Sequence, residues 1–202
     1  PAVYILLYVC SVAVVLLTMC GNLLVIISVL HFKQLHTPTN MLVLSLAVSD
    51  FLIGALVMPA MFIWTIESCW IFGRVFCIVF LWIGGLIMSL SIYNIALIAV
   101  DRYLALSNPF LYTNTVNRTE RKAAKVLGIL VSVFLVCLLP YFIYSLLGNT
   151  ETFQKLVIVA YLNSTINPLI YALFYPWFRR CMKLIITLQI FQKDSALISI
   201  FS

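Results

Sequence analysis

Five stretches of this chain are long and apolar enough to cross a lipid bilayer, and they take up most of its 202 residues. A spanning helix needs about 20 mostly apolar residues at a rise of about 1.5 Å each. The five stretches are residues 2–30, 40–64, 74–100, 123–147 and 153–174. With 64% hydrophobic residues, 9% charged residues and a mean hydropathy of +1.15, the chain lacks the polar cover of a soluble protein. The sequence therefore predicts an all-α membrane protein with one domain over residues 1–202.

Lysine and arginine residues collect on one side of the five predicted spans. Short loops that are rich in these residues stay cytoplasmic. Arg74 and Lys155 fall on one side, and the other ten basic residues fall on the opposite side. We therefore expect the amino terminus outside the cell and the carboxyl terminus in the cytoplasm, with the net charge of +6 as a topology signal rather than a sign of nucleic-acid binding. Because the chain begins with Pro1 rather than Met, we expect a further segment to precede it.

Apolar and basic residues recur at helical spacing over residues 177–189, after the last predicted span. The apolar set is Trp177, Phe178, Met182, Ile185 and Leu188, and the polar set is Arg179, Arg180, Lys183 and Thr187. This pattern predicts a short amphipathic helix on the inner leaflet, where basic residues meet anionic membrane lipid. Cys181 in this segment is interpreted either as an acylation site or as a plain lipid-facing thiol.

Two motifs that close apolar runs carry a family resemblance. The triplet 101–103 (DRY) ends the third run, and the segment 167–171 (NPLIY) closes the last one. Together they resemble the rhodopsin-like (class A) G-protein-coupled receptors. Three longer runs, 31–40 (HFKQLHTPTN), 118–125 (RTERKAAK) and 174–179 (FYPWFR), are similar to the trace amine-associated receptors.

The resemblance implies motifs of helices one, two, three, six and seven, whereas nothing between Tyr103 and Glu120 can supply helices four and five. The expected fold is a truncated seven-helix receptor bundle with five spanning helices and the short amphipathic helix. Because the two missing helices form an antiparallel pair, their loss leaves the orientation of the other spans unchanged.

Asp50 lies near the middle of the second predicted span, where an unpaired charge is costly. Polar residues at comparable depth are Asn22, Ser91, Asn163, Ser164 and Asn167. By resemblance to the sodium-binding pocket of these receptors, Asp50, Ser91, Asn163 and Asn167 are candidate ligands of a sodium ion, since a hard cation prefers oxygen ligands. The alternative is a hydrogen-bonded packing network.

The resemblance also implies a conformational switch at the cytoplasmic side. Asp101 can hold Arg102 locally, and Glu120 stands at the family position that bridges this arginine in the resting state. The predicted switch residues are Asp101, Arg102, Glu120, Pro140, Asn167, Pro168 and Tyr171. The family's Trp two residues before Pro140 is Leu138 in this chain. The alternative is a pair of interface charges with no switching role.

Aromatic residues at the outer ends of the last two spans, Tyr141, Phe142, Tyr144 and Tyr161, are candidate ligand-binding residues or packing aromatics. The family binds the ammonium of a small amine through an Asp that lies eighteen residues before Arg102, and this chain has Gly84 there. This departure argues against amine recognition.

Cys69 and Cys77 lie near the oxidising face and are disulfide candidates. By resemblance Cys77 is the helix-three cysteine that pairs with the second extracellular loop, which this chain lacks. Cys77 is therefore expected to be free, mispaired or joined to Cys69.

The predicted function is that of a trace-amine-type receptor at the plasma membrane, which binds small amines and activates a heterotrimeric G protein, with signalling impaired in this chain. The alternative is a non-signalling interaction protein that pairs with full-length receptors and retains them in the endoplasmic reticulum. A small carrier or channel is less favoured, because no repeat and no chain of buried charges crosses the membrane. An enzyme is not expected, because the sequence has no phosphate-cradling glycine loop and no nucleophile with a plausible base.

Overall fold

A computed structural model describes residues 2–107, 128–140, 143 and 150–189, without the side chains of residues 102, 105–107, 150–155 and 176. Within these ranges the chain is helical apart from short connections, and no strand occurs. The helices are α1 (Ala2–His31), α2 (Pro38–Leu52), α3 (Met58–Glu67), α4 (Arg74–Ser107), α5 (Gly128–Pro140), α6 (Thr150–Phe174) and α7 (Pro176–Ile186).

Four segments of the described chain are long and apolar enough to span a membrane. They are Ala2–His31, Pro38–Glu67, Arg74–Asp101 and Leu156–Phe174. The fifth predicted span, 123–147, is described as the short apolar helix α5 and Ile143, and its other residues lie outside the described ranges. An all-α membrane bundle is therefore confirmed. α4 continues to Ser107, seven residues past the predicted end of the third span, so the 101–103 motif is helical.

A π-helical segment, Ile53–Val57, joins α2 to α3 without a break. The amide of Met58 donates to the carbonyl of Ile53, five residues back. Pro59 directly follows, has no amide hydrogen and would clash with the carbonyl four residues before it in a regular helix. We infer that the wider π turn accommodates this proline and keeps one continuous span.

The larger apolar cluster lies in the half of the bundle that contains the 101–103 motif, called the inner half after the predicted orientation; the opposite half is called the outer half. This cluster unites buried residues of α1, α2, α4, α5, α6 and α7, among them Val25, Leu46, Ile98, Leu130, Phe134, Tyr171 and Phe178. A second cluster in the outer half includes Ile53, Val57, Met61, Phe80 and Val157. The polar residues around Asp50 are held among these helices.

The amphipathic helix differs from its prediction. α7 ends at Ile186 rather than at residue 189, and Leu188 has a positive φ of 58° in the turn that follows. Trp177, Phe178 and Cys181 are buried in the inner cluster instead of facing lipid.

Cys181 is wholly buried, which contradicts both lipid-facing interpretations of this residue. The physical reason is that α7 packs its apolar face on the protein, so that the thiol is enclosed rather than turned to the bilayer. Burial raises the pKa of the Cys181 thiol to about 11, and a hydrogen bond with Ser28 of α1 opposes that rise. A protonated, enclosed thiol is poorly available for acylation.

Candidate functional site

Asp50 is the centre of a buried polar cluster that joins α2 to α6. It lies in the last turn of α2 and is 0% exposed. Ser164 Oγ donates to Asp50 Oδ1 at 2.8 Å, and Asn167 Nδ2 donates to Asp50 Oδ2 at 2.7 Å. Ser164 and Asn167 are three residues apart on α6 and therefore present their side chains on one face. Each carboxylate oxygen thus receives one hydrogen bond.

Asn22 connects α1 to the same part of α6. Its Nδ2 donates to the carbonyl of Ser164 at 3.0 Å and to the carbonyl of Thr18 at 2.8 Å. Pro168 has no amide hydrogen, so the carbonyl four residues before it, that of Ser164, loses its helical partner. Asn22 replaces that partner, which is how a proline inside a membrane helix becomes tolerable.

Gly21 allows this close approach. A Cβ placed on Gly21 would lie 2.8 Å from Cβ and 3.0 Å from Cγ of Pro168, which is shorter than side chains tolerate. Close by, the hydroxyls of Thr18 and Thr165 share a hydrogen bond at 2.6 Å. The sequence analysis did not identify these two threonines. The signal was available, because Thr18 lies one helical turn before Asn22 on the same face of α1.

Five buried oxygens in this part of the chain lack a hydrogen-bond partner among the described residues. They are Asn22 Oδ1, Ser91 Oγ, Asn163 Oδ1, Asn167 Oδ1 and the Tyr171 hydroxyl. All four predicted sodium ligands, Asp50, Ser91, Asn163 and Asn167, are buried. Of the three neutral ones, Asn167 is the one with a described hydrogen bond to Asp50. One carboxylate with several neutral oxygens fits a hard monovalent cation. No three His, Cys, Asp or Glu side chains come together in the described ranges.

Asp101 is fixed by a residue that the sequence analysis did not single out. Its Oδ2 accepts a hydrogen bond of 2.8 Å from Thr39, in the first turn of α2. This bond ties the inner end of α4 to α2. The Arg102 side chain and Glu120 lie outside the described part, so the bridge between them stays a prediction.

The other predicted switch residues lie on two helices. Pro168 is inside α6, Tyr171 is 1% exposed in the inner cluster, and half-buried Pro140 is the last residue of α5. Asn167 was predicted both as a sodium ligand and as a switch residue; its side chain donates to Asp50, and it directly precedes Pro168.

The outer half of the bundle brings Tyr161 against Gly84. A Cβ placed on Gly84 would lie 3.2 Å from the Tyr161 hydroxyl and 3.7 Å from Cγ1 of Val57. Any side chain at position 84 would therefore need the Tyr161 ring to move. The other candidate pocket residues, Tyr141, Phe142 and Tyr144, lie outside the described residues.

Cys69 and Cys77 flank a compact aromatic loop at the outer face. Both are free thiols in the structure. The Trp70 indole donates to the Gly73 carbonyl at 2.8 Å and packs against Trp64, Phe72, Phe76 and Phe80. The phenol of Tyr8 on α1 donates to Glu67 Oε1 at 2.5 Å, so this outer acid also has a partner.

Comparison with known proteins assigns the family. The family of seven-transmembrane receptors of the rhodopsin type matches the chain over residues 21–120 and again over residues 113–171. The chain belongs to this family. Mouse trace amine-associated receptor 1 is 31% identical over 300 residues, covering 93% of this chain and 90% of the relative. Rat trace amine-associated receptor 7a is 31% identical over 92% of this chain and 83% of its own length, and zebrafish receptor 13c is 30% identical over 92% and 86%.

The same comparison locates what the receptor chain has lost. The alignment with the mouse receptor extends over 300 positions and this chain has 202 residues, so at least 98 positions have no counterpart here. The two family matches meet at residues 113–120, between α4 and α5. This agrees with the absence of receptor helices four and five. The chain is therefore a truncated integral membrane protein of a G-protein-coupled receptor family, which is a class of receptors rather than enzymes.

Proposed function

We propose that this chain is a trace-amine-type receptor relative whose response to amines is impaired. The observation that carries the proposal is Gly84 beneath the Tyr161 hydroxyl, 3.2 Å from where a Cβ would stand. A hydroxyl carries no charge, so it cannot replace the carboxylate that would balance an ammonium group in a site shielded from water.

The acids of the described chain support the same conclusion. Asp50 accepts from Ser164 and Asn167, Glu67 accepts from Tyr8, and Asp101 accepts from Thr39. Each of the three acids whose side chains the structure describes therefore has a donor elsewhere, and none of the three stands at Gly84.

Coupling to a heterotrimeric G protein is expected to be weak as well. By family resemblance the receptor contacts its G protein through the cytoplasmic ends of helices three, five and six. Helix five falls within the missing stretch, which removes one wall of that surface.

The test is a panel of volatile and trace amines on cells that express this chain, with cyclic AMP as the readout and surface staining as a control for expression. We expect no rise, whereas mouse trace amine-associated receptor 1 in the same cells serves as the positive control. A saturable rise with any amine, abolished by Arg102→Ala, would contradict the proposal.

The Asp50 cluster is proposed to hold a sodium ion. Asp50, Ser91, Asn163 and Asn167 would be its ligands. The support is the buried Asp50 carboxylate, its bond to Asn167, and the buried oxygens of Ser91, Asn163 and Asn167 that lack a partner among the described residues. Bound sodium would neutralise Asp50 and strengthen the link between α2 and α6. Both helices are retained, so this property does not depend on the missing pair.

A second candidate function is pairing with complete receptors, which would be retained in the endoplasmic reticulum as a result. The outward face of α4 favours it, because Trp82 is 70% exposed and Leu86 is 62% exposed where a complete receptor has further helices. Co-expression with mouse trace amine-associated receptor 1 tests this, with surface level and energy transfer as readouts. An undiminished surface level, with transfer no higher than for an unrelated five-span protein, would exclude it.

A further inference from the structure

The outward face of α4 forms a continuous stripe along the whole helix. Its exposed members follow helical spacing and are Val75, Val79, Trp82, Leu86, Tyr93, Leu97, Val100 and Leu104. An apolar stripe by itself would suit lipid contact. Two features of this stripe indicate contact with another helix instead.

The first feature is the hydroxyl of Tyr93. This side chain is 69% exposed and has no hydrogen-bond partner among the described residues. It lies eight residues before Asp101, which corresponds to about 12 Å along the helix axis from the charged inner end of the span. At that depth the phenol would lie in hydrocarbon, where an unpaired hydroxyl is costly and tyrosine normally finds an acceptor.

The second feature is Gly85, which borders the stripe. A Cβ placed on Gly85 would meet no atom within 4 Å, so the glycine is not required by any contact inside the described structure. Small residues on membrane helices allow another helix to approach closely, and helix pairing in bilayers depends on such packing and on interhelical hydrogen bonds. A partner helix would use both Gly85 and Tyr93.

The length and position of the missing stretch identify the partner. At least 98 aligned positions are absent, and they fall between α4 and α5. The family is one of seven-transmembrane receptors, and this chain has five apolar stretches of spanning length. Two spans of about 20 residues each, with their loops, fit within 98 positions.

We propose that the α4 stripe binds, in trans, the two-helix segment that this chain lacks, presented by a complete trace amine-associated receptor in the same membrane. This proposal rests on the pairing function proposed above. It specifies the surface on each partner: the stripe around Leu86 and Tyr93 here, and helices four and five there. The Tyr93 hydroxyl donates to an acceptor on the partner, and Gly85 lets the partner helix approach the α4 backbone.

The experiment replaces Leu86 with a photo-crosslinking amino acid in the full chain. This variant is co-expressed with complete mouse trace amine-associated receptor 1. The matched control position is Leu16 on α1, which is 55% exposed. We expect at least a tenfold higher yield of crosslinked heterodimer from position 86. Mass spectrometry should map the linked receptor peptide to the stretch that has no counterpart in this chain.

Three results would overturn the proposal. Equal yields from positions 86 and 16 would make the stripe a plain lipid surface. Crosslinks from position 86 to a second, differently tagged copy of this chain alone would make it a homodimer face. Crosslinks to receptor segments outside the missing stretch would place the contact elsewhere.

A conservative variant tests the hydrogen bond itself. Tyr93→Phe removes only the hydroxyl and should lower the heterodimer yield from position 86 roughly threefold, in line with the modest strength of such bonds in bilayers. Tyr4→Phe on α1, where Tyr4 is 54% exposed, should leave the yield unchanged. An unchanged yield with Tyr93→Phe would contradict the proposed hydrogen bond between the Tyr93 hydroxyl and the partner.

The crosslink map tests the α4 surface and the surface-level measurement tests retention, so either hypothesis can fail without the other. Retention of the complete receptor with crosslinks outside the missing stretch would refute this surface and leave the pairing function. Crosslinks within the missing stretch, with no effect on surface level, would support this surface and refute retention.

Discussion

The interface between α1 and α6 and the outward face of α4 are both made by apolar membrane helices, yet they are built from different contacts. At the first, Gly21 fits against Pro168 and Asn22 satisfies the carbonyl of Ser164 that the proline leaves free. At the second, Gly85 meets nothing and Tyr93 has no partner among the described residues. Hydrophobicity does not distinguish the two. The difference teaches that hydrogen bonds and close glycine contacts specify helix pairs in a bilayer.

The glycine pair gives the largest expected contrast. Gly21→Ala forces the new methyl group against the rigid ring of Pro168, at 2.8 Å, and should destabilise the folded chain by about 2–3 kcal/mol. Gly85→Ala meets open space and should be neutral or slightly stabilising, because alanine favours helix. Thermal unfolding of the purified chain in detergent measures both. Similar losses of stability in the two variants would contradict the proposed difference between the α1–α6 interface and the outward face of α4.

The Asn22 hydrogen bond gives the next effect. Asn22→Leu leaves the Ser164 carbonyl buried without a donor and should cost about 2 kcal/mol. Tyr93→Phe in the isolated chain should cost nothing measurable, since the hydroxyl makes no described bond.

A double-mutant cycle identifies the cause. Pro168→Ala restores an amide that can donate to the Ser164 carbonyl, so Asn22→Leu should cost clearly less in that background. Additive losses in the double variant would mean that Asn22 acts by packing rather than by replacing the missing helical donor.

Sodium should stabilise the contacts among α2, α4 and α6, because its proposed ligands lie on these three helices, and should not involve the outward face of α4. At a sodium concentration about tenfold above the dissociation constant, binding to the folded state adds ~1.4 kcal/mol. The comparison is thermal stability in sodium chloride against N-methylglucamine chloride at equal ionic strength. Asp50→Asn removes the charged ligand and should abolish the difference, whereas a difference that persists in this variant would refute the ion site and favour the packing network.

The smallest expected effect concerns the inner end of α4. Thr39→Val removes the hydrogen bond to Asp101 and should destabilise the chain by about 1 kcal/mol, because a bond to a carboxylate is lost and partial exposure lowers its contribution. Thr39→Ser keeps the hydroxyl and is the matched control. If Thr39→Ser loses stability and Thr39→Val does not, the methyl group of Thr39 matters and the bond to Asp101 does not.

Much of the fold was predictable because spanning helices have a length and composition that few other structures share. The four described spanning segments, the first three and the last, lie where apolar runs predicted them, and the family motifs correctly indicated the missing pair. Asp50 was expected to need partners on the first, third or last span, since a membrane helix rarely keeps a carboxylate without them. Ser164 and Asn167 are those partners in the structure.

The prediction for α7 was less successful. Its apolar face was assigned to lipid, but Trp177, Phe178 and Cys181 pack on the protein. An amphipathic pattern predicts that one face leaves water, but it cannot say whether lipid or protein covers that face. Likewise, nothing in the residue order indicated that Thr39 would bind Asp101, 62 residues later.

The sequence by itself determined that this chain is helical, that it spans a membrane and that it comes from the rhodopsin-type receptors, because those properties follow from local hydrophobicity and short motifs. Only the tertiary structure decided which groups meet. Asn22 donates to the carbonyl that Pro168 frees, Gly84 lies against the Tyr161 hydroxyl, and Tyr93 has no described hydrogen-bond partner. The physical reason is that apolar side chains are soluble in lipid in any orientation. Hydrogen bonds and close van der Waals contacts depend on atomic positions to within a fraction of an ångström, and only the packing of the helices sets those positions.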